Sequence, residues 1–384
     1  MALSNKTIEI VKATAPLVGA HAVEITATFY PILFRDYPEV KSMFNQSHQR
    51  DGGQPKALAA AVVAYAMNID NLGALGGAVE SMAERHSSLN IRPEHYPMVG
   101  SSLIKAIGQV LGQAATPEVV AAWTEAYVFL ADLLIGVERG KYDKTLEKPG
   151  GWEGYKEFIV AKKEKESDTI TSFYLQPKDG TDIVAYDGGQ YISIRVDIPG
   201  EEKTVRNYSL SDWDADYLRI SVKKDGLVSK YLHDTIEDGD TVEINPPYGK
   251  FKLNDSGKPA VLISGGVGIT PMLSMLKQLV KTKTERKISF LHATRRTSEH
   301  AFKREVEDVG EGNDIPYEFF YSDAGQRITI DNLKLAAKGD INTEFYIVGP
   351  GPMMKSLYGA LIAWGVSTEN IFYEYFGPAG DIKA

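Results

Sequence analysis

The 384-residue sequence contains no cysteine. That absence excludes disulfides, cysteine-ligated zinc, iron-sulfur clusters and thiolate-ligated haem, and leaves histidine as the ligand for any redox metal. Excess positive charge is also missing: 42 Lys and Arg face 51 Asp and Glu, for a net charge of -9. Nucleic acid and anionic membranes both select a positive face, so neither is expected as a partner, a local basic patch aside. The N-terminal MALSNKTIEIVKATAPLVG lacks a basic region followed by an unbroken apolar stretch, so no secretory signal is expected. AYVFLADLLIGV is shorter than the roughly 20 residues of a membrane span and is broken by Asp132. These shortages predict a soluble, cytoplasmic protein with no integral membrane association.

What is present falls into three zones, as the length suggests at roughly 100 to 200 residues per domain. Residues 1–147 read as all-α, with breaks at DYPEV, QRDGGQP, NLGALGG and NIRPEHYP. The last helix opens with Thr116 as N-cap and Pro117 in its first turn and is expected to run to about Lys141. ERGKYDKTLEKPGGWEGYKEF, charged and glycine-punctuated, reads as a linker. Residues 150–256 carry short β-branched runs such as EFIVAKKEK, TITSFYLQP, QYISIRVDI and YLRISVKK, which predict an antiparallel barrel or sandwich. In 258–384 strand-like AVLIS, KISFLHA, YEFFYS and EFYIVG alternate with helix-like segments, the pattern of an α/β domain with a parallel sheet.

Two sets of motifs bear on chemistry in the last two zones. ISGGVGITPM places Gly265, Gly266 and Gly268 between a buried strand and a helix, where close backbone approach and free helix amides suit a pyrophosphate. It departs from the common dinucleotide fingerprint, since Pro271 occupies the third glycine position, and a plain turn is an equally simple reading. The second set is GGQY, RNYSL and GLVSKYL, residue types that can neutralise a flavin diphosphate, cover the isoalloxazine and reach its N5 edge. Each alone is more often just a strand. Their order, followed by VGPGPMM and YEYFGP, resembles the ferredoxin-NADP reductase superfamily over roughly the last 230 residues.

By that resemblance Tyr191, Arg206, Asn207, Tyr208 and Ser209 hold FAD, assisted by Lys223 and a Val228-Ser229 turn. Gly266, Val267, Gly268, Ile269, Thr270 and Pro271, with Gly349 to Pro352, bind the pyridine nucleotide, and Tyr375, Phe376, Gly377 and Pro378 border the flavin where nicotinamide arrives. Members often have cysteine where this chain has Tyr375 and Val348, so nicotinamide packing is expected to differ without loss of activity. Arg295 and Arg296, after KISFLHA, suit a 2′-phosphate, so NADPH use is expected alongside NADH as the better donor.

The helical zone raises the question of a metal through His86 and His95, two of seven histidines. A lone histidine on a helix is ordinarily structural, and His95 is read that way. For His86 the spacing of Tyr30, Phe44, Gln54 and Leu58 matters; the last two lie one helical turn apart and share a face. Glu138 shares a helical face with Tyr127, Ala131 and Leu134, where a solvated helix end is an equally simple account. The constellation looks like a globin and, joined to the reductase motifs, the whole chain resembles the flavohemoglobins. The resemblance implies that His86 ligates the iron of haem b, with Phe44, Gln54 and Leu58 lining the pocket. It implies that Tyr30 donates a hydrogen bond to bound oxygen and that Tyr96 and Glu138 hydrogen-bond the far nitrogen of His86, raising its basicity. Arg85, most simply a surface residue, and Glu374 would tune the haem and flavin potentials. The implied activity is nitric oxide dioxygenation: NAD(P)H reduces FAD, FAD reduces haem, and oxygen and nitric oxide become nitrate. Hydroperoxide or ferric-chelate reduction, and an oxygen or nitric oxide binding or sensing protein kept ferrous by its reductase, stay open beside it. The expected partners are oxygen, nitric oxide and NAD(P)H, with lipid admitted in the distal pocket and a monomeric chain.

Overall fold

The computed structural model describes residues 3–44, 53–201 and 203–376, without the side chains of residues 53–55 and 57. The chain divides into two compact units, Met1–Glu147 with Gly200–Val205, and Lys148–Pro199 with Arg206–Ala384.

The first unit is helical: α1 Asn5–Ala20, α2 Ala22–Asp36, α3 Gly53–Met67, α4 Gly76–Ser88, α5 His95–Leu111 and α6 Pro117–Leu146. Ser4 caps α1 by accepting from the Thr7 amide, and Thr116 caps α6 by accepting from Val119. Phe29 and Leu33 of α2, Ala106 and Ile107 of α5 and Ala126 of α6 meet in a buried core. Helix α6 corrects two expectations. It runs through Leu146, so ERGKYDKTL is helix: Glu138, Tyr142 and Thr145 point inward at helical spacing, while Arg139, Asp143 and Lys144 face out and Lys141 pairs with Glu80 and Glu84 of α4. Tyr142 fixes this last turn by donating to the Ile91 carbonyl at 2.7 Å. At 30 residues α6 is also long and apolar enough to cross a membrane, contrary to the reading of AYVFLADLLIGV. Its buried stripe packs against α1, α4 and α5.

The second unit holds two sheets. One has the order β4-β3-β6-β1-β2-β5, with β1 Lys156–Lys165, β2 Ile170–Pro177, β3 Tyr191–Val196, β4 Thr204–Ser209, β5 Leu218–Lys223 and β6 Thr241–Ile244. Strands β1 and β2, β1 and β6, β2 and β5, and β3 and β6 pair antiparallel, and a bridge from Leu210 to Ile220 brings the end of β4 back to β5. Alternate residues of each strand, Phe158, Phe173, Ile192, Ile194 and Ile220 among them, fill the interior. Trp152, from the second half of the expected linker, belongs to this core and donates to the Ile244 carbonyl. GLVSKYL forms a short helix, α7 Leu227–Asp234, where a turn was expected.

The other sheet is parallel, in the order β11-β10-β7-β8-β9. Its strands are β7 Ala260–Gly265, β8 Ile288–Thr294, β9 Tyr317–Tyr321, β10 Glu344–Val348 and β11 Ile371–Glu374. The helices are α8 Ile269–Lys281, α9 Lys303–Gly312, α10 Ile330–Ala336 and α11 Gly351–Trp364. All residues of β7 are buried, as a central parallel strand requires. Strand order reverses between β7 and β10, which opens a crevice at their carboxyl ends.

Candidate active site

His86 lies near the end of α4, Tyr96 in the first turn of α5 and Glu138 late in α6. Glu138 is 2% exposed and sits among Val79, Tyr96, Ala131 and Leu134. Its Oε1 accepts from the Tyr96 hydroxyl at 2.5 Å and lies 2.7 Å from His86 Nδ1, while Nδ1 is 3.0 Å from the Tyr96 oxygen. Burial, reinforced by the adjoining carboxylate, pushes the Tyr96 phenol well above its ordinary pKa. Tyr96 therefore donates to Glu138, and the same carboxylate oxygen is placed to accept from a proton on Nδ1. That tautomer leaves the Nε2 lone pair free for a metal. Sequence reasoning missed the support for this triad. Tyr127 donates to the Tyr96 carbonyl at 2.7 Å, and its ring passes where a Cβ on Gly100 would stand only 2.3 Å away. Neither has a local sequence signature.

Tyr30 lies in α2, buried, with its ring centroid 4.8 Å from Phe29 and 5.7 Å from Phe44; Phe34 closes the cluster 5.3 Å from Phe44. Leu58 packs half-buried against the same core. The Gln54 side chain lies outside the described residues. Arg85 is exposed, and His95 Nδ1 accepts from the Arg92 amide at 2.9 Å in the turn before α5. Among the described residues no three His, Asp or Glu side chains gather into a metal cluster. One oriented imidazole and the apolar, aromatic surroundings of Tyr30 and Phe44 fit haem, which His86 would hold.

In the second unit, strand alternation puts Arg206 and Tyr208 on one face of β4 and Asn207 on the other. Burial lowers the Arg206 guanidinium against the pull of Tyr208 and raises the Tyr208 phenol. An anion beside Arg206 would offset that desolvation, which is what a diphosphate supplies. Asn207 Oδ1 accepts from Ser193 at 2.7 Å and so ties β4 to β3, while Ser209 is buried at the strand end. Tyr191 exchanges two main-chain bonds of 2.9 Å with Tyr248 at the start of β3. Lys223 is exposed at the end of β5, and Val228 and Ser229 are buried in the first turn of α7. Ser229 Oγ accepts from the Asp225 and Gly226 amides at 2.9 and 2.8 Å, so its hydroxyl shapes the turn.

The glycine turn after β7 has two parts. Gly265, Gly268 and Gly349 are small because the β7 and β10 loops pack on each other: a Cβ on Gly268 would lie 2.4 Å from the Val348 carbonyl oxygen, and one on Gly265 2.8 Å from Pro350. Gly266 differs, having a φ of +55° and nothing within 4 Å of its Cβ position, so it offers open backbone at the crevice. Val267 follows it, Thr270 Oγ1 donates to the Val267 carbonyl at 3.0 Å, and Ile269 and Pro271 lie buried in α8. Arg295 and Arg296 stand exposed just past β8, with Arg296 Nε 2.9 Å from Glu299. Glu374 ends β11; Tyr375 and Phe376 follow, 38% and 45% exposed. Gly377 and Pro378 lie outside the described residues.

These features define an oxidoreductase, a globin joined to a flavin- and pyridine-nucleotide-binding module. Residues 27–134 match the globin family, 157–253 the oxidoreductase FAD-binding domain and 262–358 the oxidoreductase NAD-binding domain. The chain is 45% identical over 391 residues to the flavohemoprotein of Bacillus subtilis (strain 168), covering 98% of both chains. It is similar in structure to the flavohemoglobin of Malassezia yamatoensis with bound FAD and heme, at a TM-score of 0.87 and 28% identity over 98% of this chain and 100% of that one. The FAD/NAD-binding domain of nitric oxide dioxygenase from Vibrio cholerae matches 58% of this chain and 99% of its own, at 33% identity and a TM-score of 0.51. The chain belongs to the flavohemoprotein family, and its cofactors are haem, FAD and NAD(P)H.

Proposed function

We propose that this protein is an NAD(P)H-dependent nitric oxide dioxygenase acting as a cytoplasmic monomer, with working domains 1–147, 150–256 and 258–384. The observation that carries the reading is the buried Glu138 carboxylate 2.7 Å from His86 Nδ1. Reversible gas storage needs only a neutral imidazole. A carboxylate on its far nitrogen makes the ligand more basic, which favours chemistry on oxygen over its release. With its cofactors bound, the protein passes hydride from NAD(P)H to FAD and single electrons from FAD to haem, where oxygen and nitric oxide combine to nitrate.

The chain's own residues supply the rest. Glu138 holds the proton on Nδ1 and so orients the His86 ring. Tyr30 offers a phenolic donor to dioxygen, and Phe29, Phe34 and Phe44 around it keep the distal side apolar. Arg206, Tyr208 and Ser209 hold the flavin, Gly266 and the start of α8 hold the pyridine nucleotide, and Arg85 and Glu374 adjust the two potentials. Nitrate formed per NAD(P)H, measured with nitric oxide and oxygen together and with oxygen alone, tests the reading. Stoichiometric nitrate well above the oxygen-only rate supports it, and nitric oxide that is bound but not converted contradicts it.

A further inference from the structure

Helix α8 begins at the glycine turn and its body lies against two loops of the antiparallel sheet. Gly188 sits directly beneath it: a Cβ there would stand 2.8 Å from the Met275 Cα and nitrogen and from the Ser274 carbonyl oxygen. The Gly188 amide donates to Gln278 Oε1 at 2.6 Å. Gly189, at a φ of +99°, would bring a Cβ within 2.5 Å of the Met275 methyl. The two glycines of GGQY therefore serve the approach of this helix, although sequence reasoning grouped the motif with the flavin. In the second loop the Asp212 carbonyl accepts from Ser274 Oγ at 2.7 Å, and the Trp213 carbonyl from Lys281 at 2.7 Å.

A charge network lies alongside. Asp212 and Arg219 of the barrel are 1% and 3% exposed in their side chains. Lys277 of α8 is 2.8 Å from Asp212, and Arg219 is 3.1 Å from Glu305 of α9 and 3.5 Å from Asp212; Lys277 also pairs with Glu305. Tyr217 donates to Asp212 at 2.9 Å. Two cations and two anions balance. A network this buried is costly to desolvate and stable only in one geometry, so it fixes position more than it adds stability.

The loops that α8 clasps adjoin the flavin residues. Gly188 and Gly189 lie just before Tyr191, and Asp212 lies three residues after Ser209. We propose that α8 is a positioning strut for hydride transfer: the Gly188 contact and the Asp212-Lys277-Glu305-Arg219 network hold the nucleotide loop in register with the flavin strands. The proposal rests on the placement of FAD at Tyr191 and Arg206 to Ser209 and of the pyridine nucleotide at the glycine turn. In the step concerned, the C4–H bond of the dihydronicotinamide breaks, and hydrogen and its electron pair form the N5–H bond of the flavin. Its rate depends steeply on the separation of the two rings.

Anaerobic stopped-flow of the holoenzyme with NADH and with 4-deuterated NADH tests this in Lys277→Met, Lys277→Arg and Gly188→Ala. Lys277→Met and Gly188→Ala should slow hydride transfer about ten- to a hundredfold with a full isotope effect. They should also weaken the nicotinamide-flavin charge-transfer absorbance while FAD content and NADH affinity stay at wild-type levels. Lys277→Arg should recover most of the rate. Wild-type transfer in Lys277→Met, or a loss that merely follows lost FAD or NADH affinity, overturns the proposal. If Gly188→Ala fails to fold, the Lys277 pair decides alone. Arg206→Ala and Tyr208→Ala, assayed in parallel for FAD content, report separately on the flavin placement: undiminished FAD in both refutes that placement without altering the Lys277 readout.

Discussion

Replacing Glu138 by Gln keeps the shape of the side chain and removes its charge at the most enclosed point of the proximal site. In the wild type, Oε1 takes the Tyr96 hydroxyl at 2.5 Å and stands 2.7 Å from His86 Nδ1. A hydrogen bond to a charged group contributes about 1.5–3 kcal/mol and a neutral one about 0.5–1.5, so the substitution forfeits about 1–1.5 kcal/mol. That interaction favours the more highly charged oxidised iron, so its loss raises the potential. At about 59 mV per tenfold for one electron, the rise is about 40–65 mV. Tyr96→Phe should act in the opposite direction, since a carboxylate relieved of the tyrosine donor binds the Nδ1 proton more strongly. Spectroelectrochemical titration of the haem in both variants measures the two shifts. An unchanged or lowered potential in Glu138→Gln would refute the reasoning.

Three further predictions follow from the same geometry. Tyr30→Phe keeps the ring among Phe29, Phe34 and Phe44 but deletes the donor, so oxygen dissociation from the ferrous protein should quicken about ten- to a hundredfold. Carbon monoxide, far less polarised, should change much less; equal changes for the two gases would indicate pocket damage. NADPH should be a usable donor, and alanine at both Arg295 and Arg296 should lower its kcat/KM about tenfold or more while sparing NADH; equal NADPH kinetics would remove the arginines from that role. Burial, with Lys303 nearby, holds His300 down at about 4, and burial beside His300 holds His292 far below its ordinary value. Unfolded histidine takes up its proton near pH 6.5 and these folded ones do not, so stability is full above that pH. It should fall by up to about 1.4 kcal/mol per unit and per group as pH drops from 6.5 toward 4. Thermal melts across that range should show a shallower slope for His300→Phe, and an unchanged slope would contradict the assignment.

The elements that bind cofactors were legible because their patterns are local. Strand, glycine turn and helix succeed one another within ISGGVGITPM, and a helical zone, a strand-rich zone and an alternating zone each keep one periodicity. The end of α6 was not legible, because Arg139, Lys141, Asp143 and Lys144 resemble a solvated linker and hide the inward turn of Glu138, Tyr142 and Thr145. The role of Gly188 and the Asp212-Lys277-Glu305-Arg219 network were hidden for another reason. The contacts that tie the barrel loops to α8 and α9 join residues 65 to 90 positions apart, beyond any local signature. Gly265 and Gly268, which the motif assigns to close approach of a ligand, also let the β10 loop pack close, which no local pattern signals.

The most direct test of the account uses isotopically labelled dioxygen, with nitric oxide and NAD(P)H limiting. Each nitrate consumes one electron and each hydride carries two, so the account predicts two nitrates per NAD(P)H, each with two of its three oxygens from dioxygen. Unlabelled nitrate, or NAD(P)H oxidation that proceeds at the same rate without nitrate formation, would contradict it.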